Sequence, residues 1–138
     1  MKSMAHEPHA YPDLTKNQAL VMGALSEAKA PLSAYKILDQ LREHGFRAPL
    51  QVYRALDKLV EFGMVHRLES LNAFVACRCP GCDAHEIIAF TICESCGQVV
   101  EFSDDSLARR LKSLVRETGF LSKKTTVELR GICRACAA

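Results

Sequence analysis

Apolar residues fall at helical spacing through the first part of the chain and at strand spacing after it. Thr15-Lys16-Asn17-Gln18 is a capping box that predicts a first helix, with Leu20, Ala24, Leu25 and Ala28 along one face until Pro31 breaks it. Ser33 caps a second helix with Ala34, Ile37, Leu38 and Leu41 inward, closed by Gly45 after His44. A third helix begins near Pro49 and places Val52, Leu56, Leu59 and Val60 at i, i+4, i+7 and i+8, ending before Gly63. Its other face carries Gln51, Tyr53, Arg54, Asp57 and Lys58. Two short β-rich runs, 64–68 and 73–76, are joined by the turn-forming Glu69-Ser70-Leu71-Asn72. Three short helices and a hairpin describe a winged helix-turn-helix, in which the third helix enters the DNA major groove. A plain helical bundle with a solvated third helix fits the same pattern.

The rest of the chain changes character. Runs 87–92 and 98–102 read as strands, Ser103 and Asp104-Asp105 start a helix with Leu107, Leu111, Leu114 and Val115 on one face, and 125–129 reads as a last strand. The fold class expected is α+β: a winged-helix domain over 1–77, a hinge and metal-binding loop over 78–86, and a small α/β domain over 87–138.

Cysteine placement supplies the chemistry. All seven cysteines lie from Cys77 onward, and two C-x-x-C pairs, Cys93/Cys96 and Cys133/Cys136, bracket the last domain. Two such knuckles can present four thiolates to one tetrahedral Zn²⁺, which needs no open position when its role is structural. So small a core calls for a staple of this kind. An odd number of cysteines favours a reducing compartment, no apolar run approaches the ~20 residues that span a bilayer, and the N-terminus lacks signal-peptide order. A cytoplasmic protein is expected. The formal charge of +2 is spread evenly, so any nucleic-acid binding must come from local patches and dimerisation.

The segment Gln51-Val52-Tyr53-Arg54-Ala55-Leu56-Asp57-Lys58-Leu59, followed by Gly63-Met64-Val65-His66-Arg67-Leu68-Glu69, resembles the recognition helix and wing of the ferric uptake regulator family. Cys93-Glu94-Ser95-Cys96-Gly97, the strand through Glu101-Phe102 and the final C-x-x-C extend the likeness over roughly 14–136. The resemblance implies a homodimeric, metal-responsive transcriptional repressor whose second domain dimerises and whose partner is double-stranded operator DNA. Membranes and small-molecule substrates have no part in it, and no catalysis is needed.

Which metal is sensed depends on a second site. The His-His-Asp-His cluster of the iron- and peroxide-sensing branches is missing; Asp83-Ala84-His85-Glu86 stands there instead. The chain is more similar to the zinc uptake regulator branch, which implies His66, Cys77, His85 and Glu101 as sensory zinc ligands, beside the structural zinc on Cys93, Cys96, Cys133 and Cys136. One regulatory and one structural Zn²⁺ per protomer follow. A thiolate, two imidazoles and a carboxylate suit Zn²⁺ better than Fe²⁺. Cys79-Pro80-Gly81-Cys82 departs from the family pattern. Cys77, Cys79, Cys82 and His85 could by spacing form a local Cys₃His site, and Cys79 and Cys82 could instead load zinc transiently, act as a redox pair or stay unliganded.

For DNA, Tyr53 and Arg54 occupy the family motif, with Tyr35, Lys58 and Arg67 as further contacts. Leu14-Thr15-Lys16-Asn17-Gln18 stands where the family has Leu-Thr-Pro-Gln-Arg, and the loss of that Arg puts any phosphate contact there in doubt. The function expected is repression of zinc-uptake genes when zinc is plentiful. Alternatives are a sensor of iron, manganese or peroxide in the same fold, or a zinc-dependent enzyme.

Overall fold

The computed structural model describes residues 13–78, 88–122 and 125–138. The chain divides into two compact units: one of residues up to Ala28 together with Leu32–Ala76, the other of Lys29–Pro31 with Cys77–Ala138.

In the first unit α1 spans Lys16–Glu27, α2 Ala34–Leu41 and α3 Pro49–Glu61. The Thr15 capping box is complete: Thr15 N–H donates to Gln18 Oε1 at 3.0 Å and Gln18 N–H donates to Thr15 Oγ1 at 3.2 Å. The inward stripe of α1 centres on Val21 and Leu25, both buried, while Leu20, Ala24 and Ala28 flank it half-buried. The stripe read from the sequence shares Leu25, with Leu20 and Ala28 packed against the interior, but omits Val21, because α1 is apolar on much of its circumference and only packing selects among its faces. Helix α2 buries Ala34, Ile37, Leu38 and Leu41 as the spacing predicts, and Ser33 Oγ caps it by accepting from Lys36 N–H at 3.2 Å. It ends at Leu41; a single 3₁₀ turn, Arg42–His44, carries the chain to Gly45, whose φ of 98° closes the segment.

Helix α3 is built for precision at its start. Pro49 sits in the first turn, and Ala48 has no side-chain acceptor, so Gln51 reaches back instead, its Oε1 accepting from Arg47 N–H at 2.7 Å and Ala48 N–H at 3.1 Å. Val52, Ala55, Leu56 and Leu59 are buried; Val60, expected inside, is only half-buried. Gly63, at φ 75°, ends the helix: its N–H donates to the Val60 carbonyl at 3.0 Å and Met64 N–H to the Leu59 carbonyl at 3.0 Å.

Strands β1 (Val65–Leu68) and β2 (Ala73–Ala76) form the hairpin, antiparallel, with His66 opposite Val75 and Arg67 opposite Phe74. Leu32 and Phe74 exchange two backbone hydrogen bonds, 3.0 and 2.8 Å, fixing the hairpin to the segment before α2. Val65, Phe74 and Ala76 are buried in the same cluster as the helices, so the wing shares the helical unit's apolar interior.

The second unit has a three-stranded sheet in the order β4-β3-β5, from β3 (Ala89–Cys93), β4 (Val99–Phe102) and β5 (Val127–Gly131). Strand β4 pairs antiparallel and β5 parallel with β3, and α4 (Asp105–Glu117) makes the crossover between them. Strand β5 lies two residues later than the pattern suggests, because its register is set by the parallel pairing of Val127 with Ala89. Asp104 Oδ1 caps α4 by accepting from Leu107 N–H at 3.0 Å. Helix α4 has no buried residue, although its apolar stripe is well formed. Burial in this unit, among the described residues, is confined to Ala89, Phe90, Ile92 and Cys93, all on β3. A short helix, α5 (Arg134–Ala137), ends the chain.

Candidate zinc centre and DNA-binding face

Strand β3 ends at Cys93, and the chain turns back at once through Glu94-Ser95-Cys96-Gly97. That turn is closed by Gly97 N–H donating to the Cys93 carbonyl at 2.9 Å, with Gly97 at φ 78°, a conformation that favours glycine. Cys93 N–H donates to the Gln98 carbonyl at 2.9 Å as β4 begins, and Glu94 N–H donates to the Gly131 carbonyl at 2.8 Å, tying the knuckle to the end of β5. Cys133 follows two residues after β5, and its carbonyl accepts from Cys136 and Ala137 N–H at 3.0 and 2.9 Å, bringing Cys136 round on α5. Four sulfurs are thereby gathered: the Sγ atoms of Cys93, Cys96, Cys133 and Cys136 all lie within 4.8 Å of one another, with Cys96 and Cys133 3.7 Å apart.

The electrostatics of that cluster fit a dication. Backbone N–H groups of Cys96 and Cys133 point at Cys93 Sγ, at 3.4 and 3.3 Å, and pull its thiol down to about 6. Cys136 is pushed up to about 12, chiefly by the neighbouring Cys133 sulfur. Crowded sulfurs thus share their negative charge unequally when nothing neutralises it. A divalent cation would let all four stand as thiolates, and a closed four-sulfur donor set suits Zn²⁺.

The second expected ligand set is only partly within the described residues. Glu101 is half-buried on β4; its Oε2 accepts from Arg78 N–H at 3.1 Å and its Oε1 lies 3.6 Å from Cys77 Sγ. The support from the Arg78 backbone was missed in the sequence, since a main-chain donor leaves no trace in residue type. His66 lies on β1, half-buried. His85, Cys79 and Cys82 fall outside the described residues.

The residues assigned to DNA sit on the first unit. Tyr53 is half-buried against the apolar interior, and Arg54 and Lys58 are exposed along α3, lining with Asp57, Thr15 and Asn17 a polar groove of about 570 Å³. Lys58 pairs with Glu61 at 3.3 Å, a contact exposed enough to be exchanged for a phosphate. Tyr35 is 63% exposed near the start of α2. Arg67, on β1, donates to Asn72 Oδ1 at 3.1 Å and lies 3.6 Å from Glu69, so its guanidinium braces the wing turn in this structure. Gln51, grouped with the polar face by its spacing, spends its carbonyl oxygen on the cap of α3.

No helix among the described residues is long and apolar enough to cross a membrane. Comparison with known proteins gives one consistent answer. The model of the ferric uptake regulator family matches residues 13–130. The zinc uptake regulation protein of Escherichia coli K12 is 37% identical over 124 residues, covering 89% of this chain and 72% of that protein. A solved structure of a zinc uptake regulator complexed with zinc and DNA superimposes with a TM-score of 0.85 at 36% identity, over 91% of this chain and 83% of the other. The crystal structure of holo XcZur gives a TM-score of 0.81 at 41% identity, over 90% and 86% of the two chains. The tyrosine and arginine on the third helix, the wing and the paired cysteine knuckles are therefore those of a ferric uptake regulator family member, and the chain belongs to that family, within its zinc uptake regulator branch.

Proposed function

We propose that the protein is a zinc-responsive transcriptional repressor that binds operator DNA as a homodimer when zinc-loaded and silences genes for zinc uptake. The observation that carries this reading is the 36% identity and TM-score of 0.85 to a zinc uptake regulator in complex with zinc and DNA, sustained over 91% of the chain. The polar face of α3 and the four-cysteine cluster supply the two chemistries such a protein needs.

In this reading Cys93, Cys96, Cys133 and Cys136 hold one zinc per protomer for structure, where the cation neutralises four crowded thiolates. A second, regulatory zinc is assigned to His66, Cys77, His85 and Glu101. Supporting it, Cys77 Sγ and Glu101 Oε1 are 3.6 Å apart, and the N/O/S donor set suits zinc. Ligands drawn from both the wing and β4 would couple metal occupancy to the geometry in which a dimer presents its two recognition helices, so zinc would favour the DNA-competent state. Apolar surface on the second unit, with Val100 48%, Leu129 54% and Ile132 55% exposed, is what a second copy would cover. The protein acts in the cytoplasm and is not an enzyme.

The test is operator binding by fluorescence anisotropy with reduced protein that retains its structural zinc, as free zinc is buffered over a wide range. Affinity should rise with free zinc and the response should vanish in Cys77→Ser. Zinc-independent binding would sink the sensor assignment. Loss of regulatory zinc in Cys79→Ser/Cys82→Ser, with retention in His66→Ala, would move the site to the local cysteine loop.

A further inference from the structure

One large apolar side chain on α3 is exposed, on the same stripe as the residues assigned to DNA. Leu50, the second residue of the helix, is 57% exposed. The interior side of α3 is defined by Val52, Ala55, Leu56 and Leu59. Leu50 is separated from Tyr53, Arg54 and Asp57 by three, four and seven positions, which puts it on the same stripe one turn nearer the N-terminus. In helix-turn-helix proteins the first turns of the recognition helix approach the base edges. The neighbouring polar side chain is committed elsewhere: Gln51 Oε1 accepts two backbone N–H bonds, at 2.7 and 3.1 Å, as the cap of α3. The leading turn therefore offers an aliphatic group to the groove.

We infer that Leu50 is a specificity-determining residue that reads the C5-methyl group of a thymine in each operator half-site. An aliphatic side chain cannot hydrogen-bond a base edge, and in the major groove thymine alone presents a methyl to pack against. A guanine or cytosine at that position would leave Leu50 against polar edges, so discrimination comes from the unfavourable alternatives as well as the favourable contact. The solvent-exposed leucine costs little in the free protein and becomes apolar contact area on binding. This inference rests on the assignment of the chain as an operator-binding protein.

The experiment uses the full-length, reduced, zinc-loaded protein and a duplex it selects from a random pool. Each thymine of the half-sites is replaced in turn by deoxyuridine, which removes the methyl and keeps every hydrogen-bonding group. At one thymine per half-site the wild-type protein should lose about fourfold in affinity, the worth of one buried methyl. Leu50→Ala should bind the parent duplex more weakly and show no penalty for deoxyuridine at that thymine, while its penalties elsewhere and its salt dependence stay those of the wild type. Circular dichroism and zinc content establish that the variant is folded, as the exposure of Leu50 leads one to expect. If Leu50→Ala carries the same deoxyuridine penalties as the wild type at every thymine, the inference is overturned and zinc-dependent DNA binding stands. If the wild-type protein selects no duplex at any zinc concentration, the operator-binding assignment falls and takes the inference with it.

Discussion

Cys93 and Cys136 share one cluster yet hold their protons very differently, the first brought down to about 6 by backbone N–H donors and the second pushed up to about 12 by an adjacent sulfur. Spacing in the sequence marked both as candidate ligands, because two C-x-x-C pairs leave few other uses for four cysteines in so short a span. Their inequality was not legible, since it comes from amides of Cys96 and Cys133 that only the folded turns aim at one sulfur. A pH dependence follows. Without metal the Cys93 thiolate is present above about 6 and is lost as pH falls through that value, so below it zinc must displace one more proton and its apparent affinity should fall more steeply with falling pH. Cys136 keeps its proton at neutral pH until zinc displaces it, so zinc uptake at pH 7 should release protons and its apparent affinity should rise with pH. Calorimetric zinc titration in two buffers of different ionisation enthalpy would detect that release; identical heats in both would refute it. Cys93→Ser should abolish tight zinc retention, read as metal content after chelator treatment.

Helix α3 shows how element-level signals divide between sequence and structure. Its length, its Pro49 start and its Gly63 stop were readable, because each is a local backbone requirement. Gln51 was not: its spacing groups it with the exposed face, and only the conformation of Arg47-Ala48 lets its carbonyl oxygen take two N–H bonds. Gln51→Ala should destabilise the first unit by about 1 kcal/mol and lower operator affinity through a frayed leading turn. Thermal melting and anisotropy would check both, and an unchanged melting temperature would show the cap to be dispensable. Gly63→Ala should cost about 1 kcal/mol as well, from a positive φ that side chains resist. Helix α1 marks the reverse case, where Val21 rather than Leu20 leads the buried stripe because neighbouring elements choose among several apolar faces.

At the scale of the whole molecule the two units differ in what sustains them. The first has a continuous apolar interior from three helices and the wing, while the second, among the described residues, buries side chains on β3 alone. Stripping zinc from the four-cysteine cluster should therefore remove hydrogen-exchange protection from β3, β4 and β5 and leave α1, α2 and α3 protected. Retained protection in the sheet after verified metal loss would show that the strands need no staple. By itself the sequence determined the succession of the four longer helices and five strands, the winged-helix pattern, the two cysteine knuckles and the family, because periodicity, caps and ligand spacing are written in consecutive residues. Tertiary structure alone decided the register of β5 on β3, the hydrogen bond that braces Glu101 through Arg78, the unequal protonation within the cysteine cluster and the exposure of Leu50. Each of these depends on which atoms from distant parts of the chain come within bonding distance or keep water away, and residue order does not carry that information.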